Sequence, residues 1–454
     1  MPDRRDDLDS WLDGRIEPLP PPPGTFDLIK RRARRRKYRK LAVTAGAAAV
    51  IVAAAVTVPQ VVNLPVLNPA KATSAANGHT ALAAPSAGAS TETSAASAVP
   101  SAAPAPVPAN FQPSSVTFIG TNTGWVIGQA GTPGHCATQY CTSVARTDDA
   151  GKTWTGVPAP VTGPADGATG VSQIRFLNMS DGWAFGPGLF ATHDGGHSWT
   201  QIGTNGLRVT ALETVGDRAF ALFASCTGTG TAFAAQCTSY TLYSSPASAD
   251  DWTPVGPATS NLGYGGQDGA AALVLTGTRG YLVAPEGILF AGPVDGNGPW
   301  QAVAHLPCAA GMAQPDGQPA GALLGAVNAS ALILACTPPA VPGGRQKKLI
   351  FTSADDGTSW QQVAVAPGAG VATSLAGSPP GNLVLATNGG IDLLPAGGTR
   401  WQQASVSGGV PAGGFSFVGM TTDSQGVAVP ADPTAGAIWF TYDGGLTWVP
   451  SRVS

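Results

Sequence analysis

Hydrophobic and polar positions divide the chain into two unlike parts. Residues 41–62 (LAVTAGAAAVIVAAAVTVPQVV) form one apolar run without an ionisable side chain, and about 20 such residues suffice for a helix to span a bilayer. After residue 110 the apolar residues come in short runs separated by glycine-rich and aspartate-containing turns. No segment beyond the long run has helical periodicity. The pattern predicts one membrane helix followed by an all-β domain.

The residues before the apolar run predict its orientation. Residues 30–40 (KRRARRRKYRK) carry nine cations in eleven positions, and cationic flanks stay on the cytoplasmic side. We therefore expect a cytoplasmic tail over 1–40, acidic and proline-rich and then polybasic, a transmembrane helix over 41–63, and an extracytoplasmic remainder. A cleaved signal peptide is the alternative, although 40 residues precede the run and 59–62 (PQVV) match a cleavage site poorly.

Residues 64–110 consist almost wholly of Ala, Ser, Pro, Thr and Gly. Such a segment buries too little apolar surface to offset the entropy of ordering it. It is expected to be a disordered linker with a root-mean-square reach of roughly 40 Å, which places the remaining domain, residues 111–454, away from the bilayer.

A repeated octapeptide dominates residues 111–454. Residues 147–154 (TDDAGKTW), 192–199 (THDGGHSW), 353–360 (SADDGTSW) and 441–448 (TYDGGLTW) share Ser or Thr, Asp, Gly, Ser or Thr, and Trp at the same positions. Weaker copies end in the same residue type, so seven units close at Trp154, Trp199, Trp252, Trp300, Trp360, Trp401 and Trp448. The mean spacing of these tryptophans is 49 residues, and seven such units fill the domain.

Each unit contains four short β-rich runs. In the second unit these are 173–177, a run beginning Gly182-Trp183, the run 189–192 that enters the Asp-containing turn, and the run 199–202 that leaves it. Four strands per unit at a period of 40–50 residues describe a β-propeller blade. The predicted fold class is all-β, a seven-bladed β-propeller of four-stranded antiparallel blades, preceded by one transmembrane helix and a disordered linker. Since the first unit begins on strand one and the last ends on strand four, the ring is expected to close without exchanging a strand.

The octapeptides resemble the Asp-box, or bacterial neuraminidase repeat, of sialidases, sortilin-type receptors and propeller-type photosystem II assembly factors. Within the turn, a short acidic side chain can accept backbone N–H bonds, glycine supplies backbone angles that other residues resist, and tryptophan covers apolar surface of its blade. These residues are therefore predicted to be structural rather than catalytic: Asp149, Gly151, Trp154, Asp194, Gly196, Trp199, Asp295, Trp300, Asp355, Gly357, Trp360, Asp443, Gly445 and Trp448.

All six cysteines follow the apolar run, which favours disulfides in an oxidising compartment. Six cysteines allow fifteen pairings, and nearest-neighbour pairing keeps each bond within one loop or adjoining loops. The expected disulfides are Cys136–Cys141, Cys226–Cys237 and Cys308–Cys336. Zinc ligation is the alternative, although no CxxC spacing supports it. His193 and His197 occupy variable positions of a turn, so no metal site is expected there, and no cofactor is predicted.

The order of strands places the predicted disulfides together. Loops after strands two and four lie on the face opposite the Asp-containing turns, and that face carries every cysteine. Long loops on a rigid scaffold are common binding sites, so the candidate ligand-binding residues are those of this face: Tyr140, Tyr264, Asp268, Glu286, His305 and Arg345.

The net charge of the domain limits the kinds of partner that it is expected to bind. Residues 110–454 contain 11 Lys and Arg against 19 Asp and Glu, and this acidic balance argues against nucleic acid as a partner. We predict a binding or scaffold propeller, tethered to the cell membrane, that recognises a protein, peptide or glycan without catalysis. A glycoside hydrolase of the sialidase-like superfamily, with Asp268 and Glu286 as its carboxylate pair, is the first alternative. A photosystem assembly-factor-like protein is the second.

Overall fold

The computed structural model describes part of the chain, and all of it belongs to one compact unit, Ser97–Ser454. The described residues are 105–130, 141–162, 170–227, 236–255, 259–260, 272–283, 287–308, 321–328, 330–338, 344–379 and 381–454. Within these ranges no helix combines the length and the apolar character needed to cross a bilayer. The predicted cytoplasmic tail, transmembrane helix and most of the linker lie outside the described residues.

Short strands make up the first three sheets, and a two-residue strand, β13, lies beside the third. In chain order they are β1 Gln112–Phe118, β2 Gly124–Ala130, β3 Cys141–Thr147, β4 Thr155–Val157, β5 Gln173–Phe176, β6 Gly182–Phe185, β7 Leu189–Thr192, β8 Thr200–Gln201, β9 Arg208–Val215, β10 Arg218–Thr227, β11 Gln236–Pro246, β12 Thr253–Pro254 and β13 Thr259–Ser260.

The remaining four sheets continue the same plan. Their strands are β14 Ala272–Leu275, β15 Arg279–Val283, β16 Ile288–Pro293, β17 Gln301–His305, β18 Gly321–Ala326, β19 Leu332–Thr337, β20 Lys348–Ser353, β21 Gln361–Ala366, β22 Ala372–Ser378, β23 Asn382–Thr387, β24 Gly390–Leu394, β25 Gln402–Gln403, β26 Ser405–Val406, β27 Phe415–Met420, β28 Gly426–Pro430, β29 Ala437–Thr441 and β30 Thr447–Arg452. A 3₁₀ turn, Pro433–Ala435, precedes β29.

The seven sheets are the blades of a seven-bladed β-propeller, which confirms the predicted fold of the domain. Each blade is an antiparallel meander whose four main strands pair in chain order. The first strand of each blade is innermost and packs against the first strand of the next: β1, β5, β9, β14, β18, β22 and β27 follow one another around the centre.

Hydrophobic cores lie between the blades. Seven clusters of buried side chains are present in the described residues, and each draws its members from two adjacent blades. The repeated tryptophans belong to these clusters. Trp448 of the seventh blade, for example, packs with Val384 and Leu393 of the sixth. Trp300 of the fourth blade lies directly against Gly280 and Gly292 of its own sheet and also packs with Phe220 of the third blade. A blade is a single sheet, so the indole that covers one face of its own blade is itself covered by the neighbouring blade.

A second set of aromatic residues links three blades, the first, second and fourth, to the blade that follows. These residues start strand two after a glycine. Trp125 Nε1 donates to the backbone oxygen of Gly195 in the next blade (3.2 Å), and Trp183 Nε1 donates to Asp250 (3.0 Å). Two blades further on, Tyr281 donates its hydroxyl to Asp356 (2.9 Å). The Gly-aromatic pairs of the sequence therefore mark bonds between blades.

The ring closes between the last blade and the first without an exchanged strand. The seventh blade consists of β27–β30, with β26 added in parallel outside β30, and the first blade consists of β1–β4. Side chains join the two. Trp154 Nε1 donates to Ser451 Oγ (3.2 Å), and Tyr442 donates its hydroxyl to the backbone oxygen of Ala150 (2.9 Å). Phe440 packs so closely on Gly151 that any side chain there would collide with its ring.

Candidate functional site

The propeller has two unlike faces. The acidic-turn face carries the turns 147–154, 192–199, 353–360 and 441–448, together with the turns between strands one and two. The disulfide face lies at the opposite ends of the strands and carries the loops between strands two and three and the connections between blades. Two of the predicted disulfides, Cys226–Cys237 and Cys308–Cys336, are present and lie on that face.

The four acidic turns have the same internal hydrogen bonds. In the turn 192–199, Asp194 accepts the backbone N–H of Ser198 (2.9 Å) and its hydroxyl (2.5 Å). Thr192 donates its hydroxyl to Asp194 (2.8 Å) and accepts the N–H of Gly196 (2.9 Å). Equivalent bonds surround the other three carboxylates: Asp149, Asp355 and Asp443. Asp295, in a weaker copy, accepts the N–H of Asn297 (2.9 Å).

These bonds hold the carboxylates in their ionised form. Burial opposes ionisation of Asp194, but the hydrogen bonds from Ser198 and Thr192 outweigh it and lower its pKa to about 2. Hydrogen bonds from Ser359 lower the pKa of Asp355 to about 2 as well. A carboxylate of this kind does not hold the proton that a general acid must donate near neutral pH. The geometry of the turns therefore favours a structural role.

We expect the acidic turns to make the propeller sensitive to low pH. Because the folded pKa of Asp194 is lower than its ordinary value of 3.8, the stability it contributes is present above that value and is lost as the pH falls towards 2. Thermal unfolding between pH 5 and pH 2 should show a shallower loss of stability in Asp194→Asn than in the parent protein. An unchanged pH profile would contradict the assigned bonds.

The longest strands among the described residues extend past their inner strand on the disulfide face. Strands β10 and β11 have 10 and 11 residues, and β10 leaves the inner strand β9 after Ala224, which pairs with Arg208. Residues 225–227 continue beyond that point, about 10 Å at ~3.4 Å per residue. The Cys226–Cys237 disulfide joins the two strands at this end, and β13 adds a short third strand alongside. In the described residues the result is a braced hairpin that extends past the end of β9.

The second disulfide joins two blades on the same face. Cys308 follows β17 of the fourth blade and bonds to Cys336 in β19 of the fifth. Both residues are buried, at 3% and 0% exposure. Every cysteine whose side chain the structure describes takes part in one of these two bonds. The predicted Cys136–Cys141 pair lies outside the described residues.

Two of the six candidate ligand-binding residues are described. His305 ends β17, and Arg345 lies in the loop between β19 and β20; both are exposed on the disulfide face. Along the chain, Cys308 follows His305 in the fourth blade and Cys336 precedes Arg345 in the fifth. This disulfide therefore joins the two segments that carry the candidates. No hydrogen bond or ion pair of the described residues joins His305 to Arg345. The other four candidates lie outside the described ranges: Tyr140, Tyr264, Asp268 and Glu286.

A buried lysine, Lys348, lies at the disulfide face beside the connection between the fifth and sixth blades. Lys348 has no exposed surface, and its Nζ donates to the backbone oxygens of Gln346 (3.3 Å), Pro367 (2.6 Å) and Ala369 (2.9 Å). Burial lowers the pKa of Lys348, and the nearby Asp392 carboxylate acts in the opposite direction. The three acceptors use all three ammonium protons, so Lys348 ties the connection between the fifth and sixth blades to the sheet.

The inner strands line an open cavity in the centre of the ring. Its volume is about 430 Å³, and one carboxylate, Glu213, lines it in the described part of the chain among apolar and small residues of β14, β18, β22 and β27, including Phe417 and Met420. Arg175 Nε donates to Glu213 (3.0 Å), and its Nη1 donates to Ser115 (3.3 Å). The two charges are thus paired with each other. Neither residue was predicted from the sequence to be part of a site.

A three-residue charged cluster bridges the second and third blades on the acidic-turn face. The imidazole of His193 lies between two carboxylates, with Nδ1 at 2.8 Å from Asp181 and Nε2 at 2.9 Å from Asp250. Only the doubly protonated ring can donate to both. Burial disfavours that charged ring, but the bonds to Asp181 and Asp250 outweigh it and raise the pKa of His193. The carboxylates bind opposite sides of the ring, and the described residues hold no cluster suited to a metal ion.

We expect His193 to stabilise the junction of these blades most strongly at mildly acidic pH. Its folded pKa lies above the ordinary value of 6.5, so its contribution is complete below 6.5 and is lost as the pH rises through the folded pKa. Thermal unfolding of the parent should reveal up to about 1 kcal/mol more stability at pH 6 than at pH 8.5 from this partly exposed group. His193→Gln should lose that difference, whereas His197→Gln in the same turn should keep it.

Comparison with known proteins finds similar structures but no related sequences. No family model and no curated protein sequence matches the chain. Among solved structures, one described as YCF48 bound to D1 peptide is 17% identical with a TM-score of 0.48, over 75% of this chain and 95% of that one. A puromycin-hydrolyzing peptidase of Mycobacterium tuberculosis is 12% identical with a TM-score of 0.48, over 77% and 55%.

A glycoside hydrolase, the GH74 enzyme of Niastella koreensis, is 13% identical with a TM-score of 0.36, over 76% of this chain and 66% of that one. These three proteins differ in what their descriptions say they do. At such low identities and scores the likeness carries no information about the function of this chain.

Proposed function

We propose that the protein is a membrane-tethered, extracytoplasmic binding or scaffold propeller that recognises a protein, peptide or glycan through its disulfide face. The observation that carries this proposal is the braced hairpin of β10 and β11, whose described strands extend about 10 Å beyond the inner strand and are joined there by the Cys226–Cys237 bond. A projecting, cross-linked element gives up little conformational entropy on binding, because it is already ordered.

The rest of the disulfide face supports the same role. The Cys308–Cys336 bond and the three hydrogen bonds of Lys348 hold the connections of the fourth, fifth and sixth blades in place. Loops fixed in this way on a rigid scaffold are suited to recognition. His305 and Arg345 are exposed on this surface and offer a ligand a hydrogen-bonding ring and a guanidinium.

Disulfides and the basic segment support the extracytoplasmic, membrane-bound part of the proposal. Two bonds between cysteines persist in oxidising compartments, and the polybasic segment 30–40 before the apolar run 41–62 is typical of a single-pass protein whose N-terminus is cytoplasmic. Hydrolysis has no comparable support. The carboxylates considered for it, Asp268 and Glu286, lie outside the described residues, and Glu213 in the central cavity is paired with Arg175.

Photo-crosslinking of the full-length chain in its own cells tests the binding surface. A photoreactive residue at His305 or Arg345 should give adducts of discrete mass, whereas one at Asn297, exposed on the acidic-turn face, should give none. Sensitivity of an adduct to protease or to glycosidase then identifies its class. Adducts only at Asn297, or at none of the three positions, would contradict the proposal, as would turnover of fluorogenic sialosides or β-glycosides by the purified chain.

Fractionation tests the tether. The full-length chain should remain with membranes after alkaline extraction, and protease added outside the cell should digest its C-terminal domain. A matched variant without residues 41–63 should lose the membrane association. If the parent chain is found instead in the soluble fraction with a shortened N-terminus, the apolar run is a cleaved signal and the tether is refuted.

A further inference from the structure

Residues 105–111, which lie directly before β1, form a strap across the first blade. The backbone N–H of Gly156 in β4 donates to the backbone oxygen of Ala105 (2.8 Å), and these two residues form an antiparallel bridge. From β4, the outermost strand of the blade, the strap runs to β1, the innermost strand. Its first six residues are the end of the predicted linker.

Two apolar side chains of the strap are buried between the first and seventh blades. Val107 is 9% exposed and Phe111 is 3% exposed. Both belong to the hydrophobic cluster that joins the two blades, to which the first blade contributes Trp154 and the seventh contributes Phe440. The other residues of the strap are exposed. The strap therefore supplies core residues to this junction although it belongs to neither sheet.

The junction that the strap covers has no connection of its own. At other junctions the chain passes from one blade to the next and packs apolar residues between them on the way. Ile202 and Leu207 do so between the second and third blades, and Leu306 does so between the fourth and fifth. Because the seventh blade is last in chain order and the first blade is first, no such connection joins these two. Val107 and Phe111 take the part that connecting residues play elsewhere.

Two glycines of the first blade show how closely the strap packs. A Cβ atom at Gly156 would lie 2.6 Å from the backbone oxygen of Pro106, and one at Gly128 in β2 would lie 2.8 Å from the ring of Phe111. Gly156 does not have a positive φ, so its backbone angle does not require glycine. Glycine within a strand often marks the close approach of another backbone. A methyl group at residue 156 and the strap cannot both keep these positions.

We propose that the strap is a conformational lock on the ring. While it is seated, the seventh and first blades stay joined on the disulfide face, where β1 begins. When it is released, this end of the junction opens, and the bond from Tyr442 to Ala150 still joins the two blades on the acidic-turn face. The strap has few contacts compared with a four-stranded blade, so it is the element that leaves first.

The lock makes the closure of the ring depend on the linker. The strap continues directly into the chain before residue 105, so a pull on that chain, or proteolysis next to the strap, acts on this junction before it acts on any blade. Opening would alter the face proposed for binding. That consequence rests on the proposed function, whereas the lock itself does not.

Gly156→Ala in the full-length chain tests the lock. The methyl group displaces the strap but leaves Val107 and Phe111 in place in the sequence. Hydrogen exchange followed by mass spectrometry should become at least about tenfold faster in residues 107–118 and 447–453, whereas residues 218–227 of the third blade should keep their rate. Gly120→Ala is the matched control in the same blade, because a Cβ atom there has no neighbour within 4 Å.

A double-mutant cycle tests whether the effect passes through the strap. Val107→Asp should by itself accelerate exchange in residues 447–453, because it places a carboxylate in the buried cluster. When Gly156→Ala has already displaced the strap, the same substitution should add less than about a twofold change. Ala109→Asp, at an exposed position of the strap, should leave the rates unchanged.

Three results would overturn the lock. Parent rates at residues 447–453 in Gly156→Ala would show that the junction stays closed without the strap. Equal acceleration in residues 218–227 would show that the strap stabilises the propeller as a whole rather than this junction. Additive effects of Gly156→Ala and Val107→Asp would show that the two substitutions act on different structures. No ligand or membrane enters these measurements, so a failure of the proposed function would leave their outcome unchanged.

Discussion

Replacing Trp448 by alanine is expected to lower the free energy of unfolding by about 3–5 kcal/mol. The indole has no exposed surface and fills the core between the sixth and seventh blades beside Val384 and Ile391. Its Nε1 also donates to the backbone oxygen of Gly445 (3.0 Å), which closes the last turn of the ring. Denaturation in urea, followed by far-UV circular dichroism, measures the loss.

Trp199→Ala is the matched control. Trp199 occupies the same position of the repeat and also makes an Nε1 bond, to the backbone oxygen of Pro158 (3.0 Å), but its ring is partly exposed. Less apolar surface is therefore returned to water, and a loss of about 1–2 kcal/mol is expected. Equal losses in the two variants would contradict the view that burial between blades, rather than the turn itself, makes these tryptophans stabilising.

Lys348→Met should cost about 2–4 kcal/mol, although methionine matches the length and apolar stem of the lysine. The substitution removes three charge-assisted bonds at once and leaves the carbonyl oxygens of Gln346, Pro367 and Ala369 without their donor. Buried acceptors without a partner carry the full cost of lost hydration. Thermal and urea unfolding measure the effect.

Lys347→Met tests whether charge alone matters. Lys347 is the neighbouring residue and is exposed, so its replacement should change stability by less than about 0.5 kcal/mol. The two variants have the same net charge. If Lys348→Met is as stable as Lys347→Met, the ammonium group does not hold the connection between the fifth and sixth blades, and the support proposed for the disulfide face is wrong.

Structures formed by residues close together in the chain could be predicted from the sequence. The acidic turn closes through bonds among residues two to four positions apart, such as Thr192, Asp194 and Ser198, so its residue types recur at fixed spacing. Seven recurrences predicted the seven blades. Two of the three expected disulfides were also predicted from chain order, because strand alternation places Cys226 beside Cys237, and Cys308 near Cys336, on one face.

Contacts between side chains of different blades could not be predicted from the sequence. His193 and Asp250 are 57 residues apart, and Arg175 and Glu213 are 38 apart. No local spacing relates such pairs, since each depends on which side chains two sheets present to each other. The pair Gly182-Trp183 could be read from the sequence as the start of a strand, but only the neighbouring blade supplies the acceptor, Asp250, that its indole binds.

The sequence by itself determined the number of blades, the order of strands and the face on which the cysteines lie, because these follow from a short-range repeat and the alternating direction of the chain. The tertiary structure determined which contacts the repeated residues make. It placed the tryptophans between blades, paired Arg175 with Glu213 and enclosed Lys348 among carbonyls. Those outcomes depend on contacts between distant segments, whose burial and charge exist only once the ring is closed.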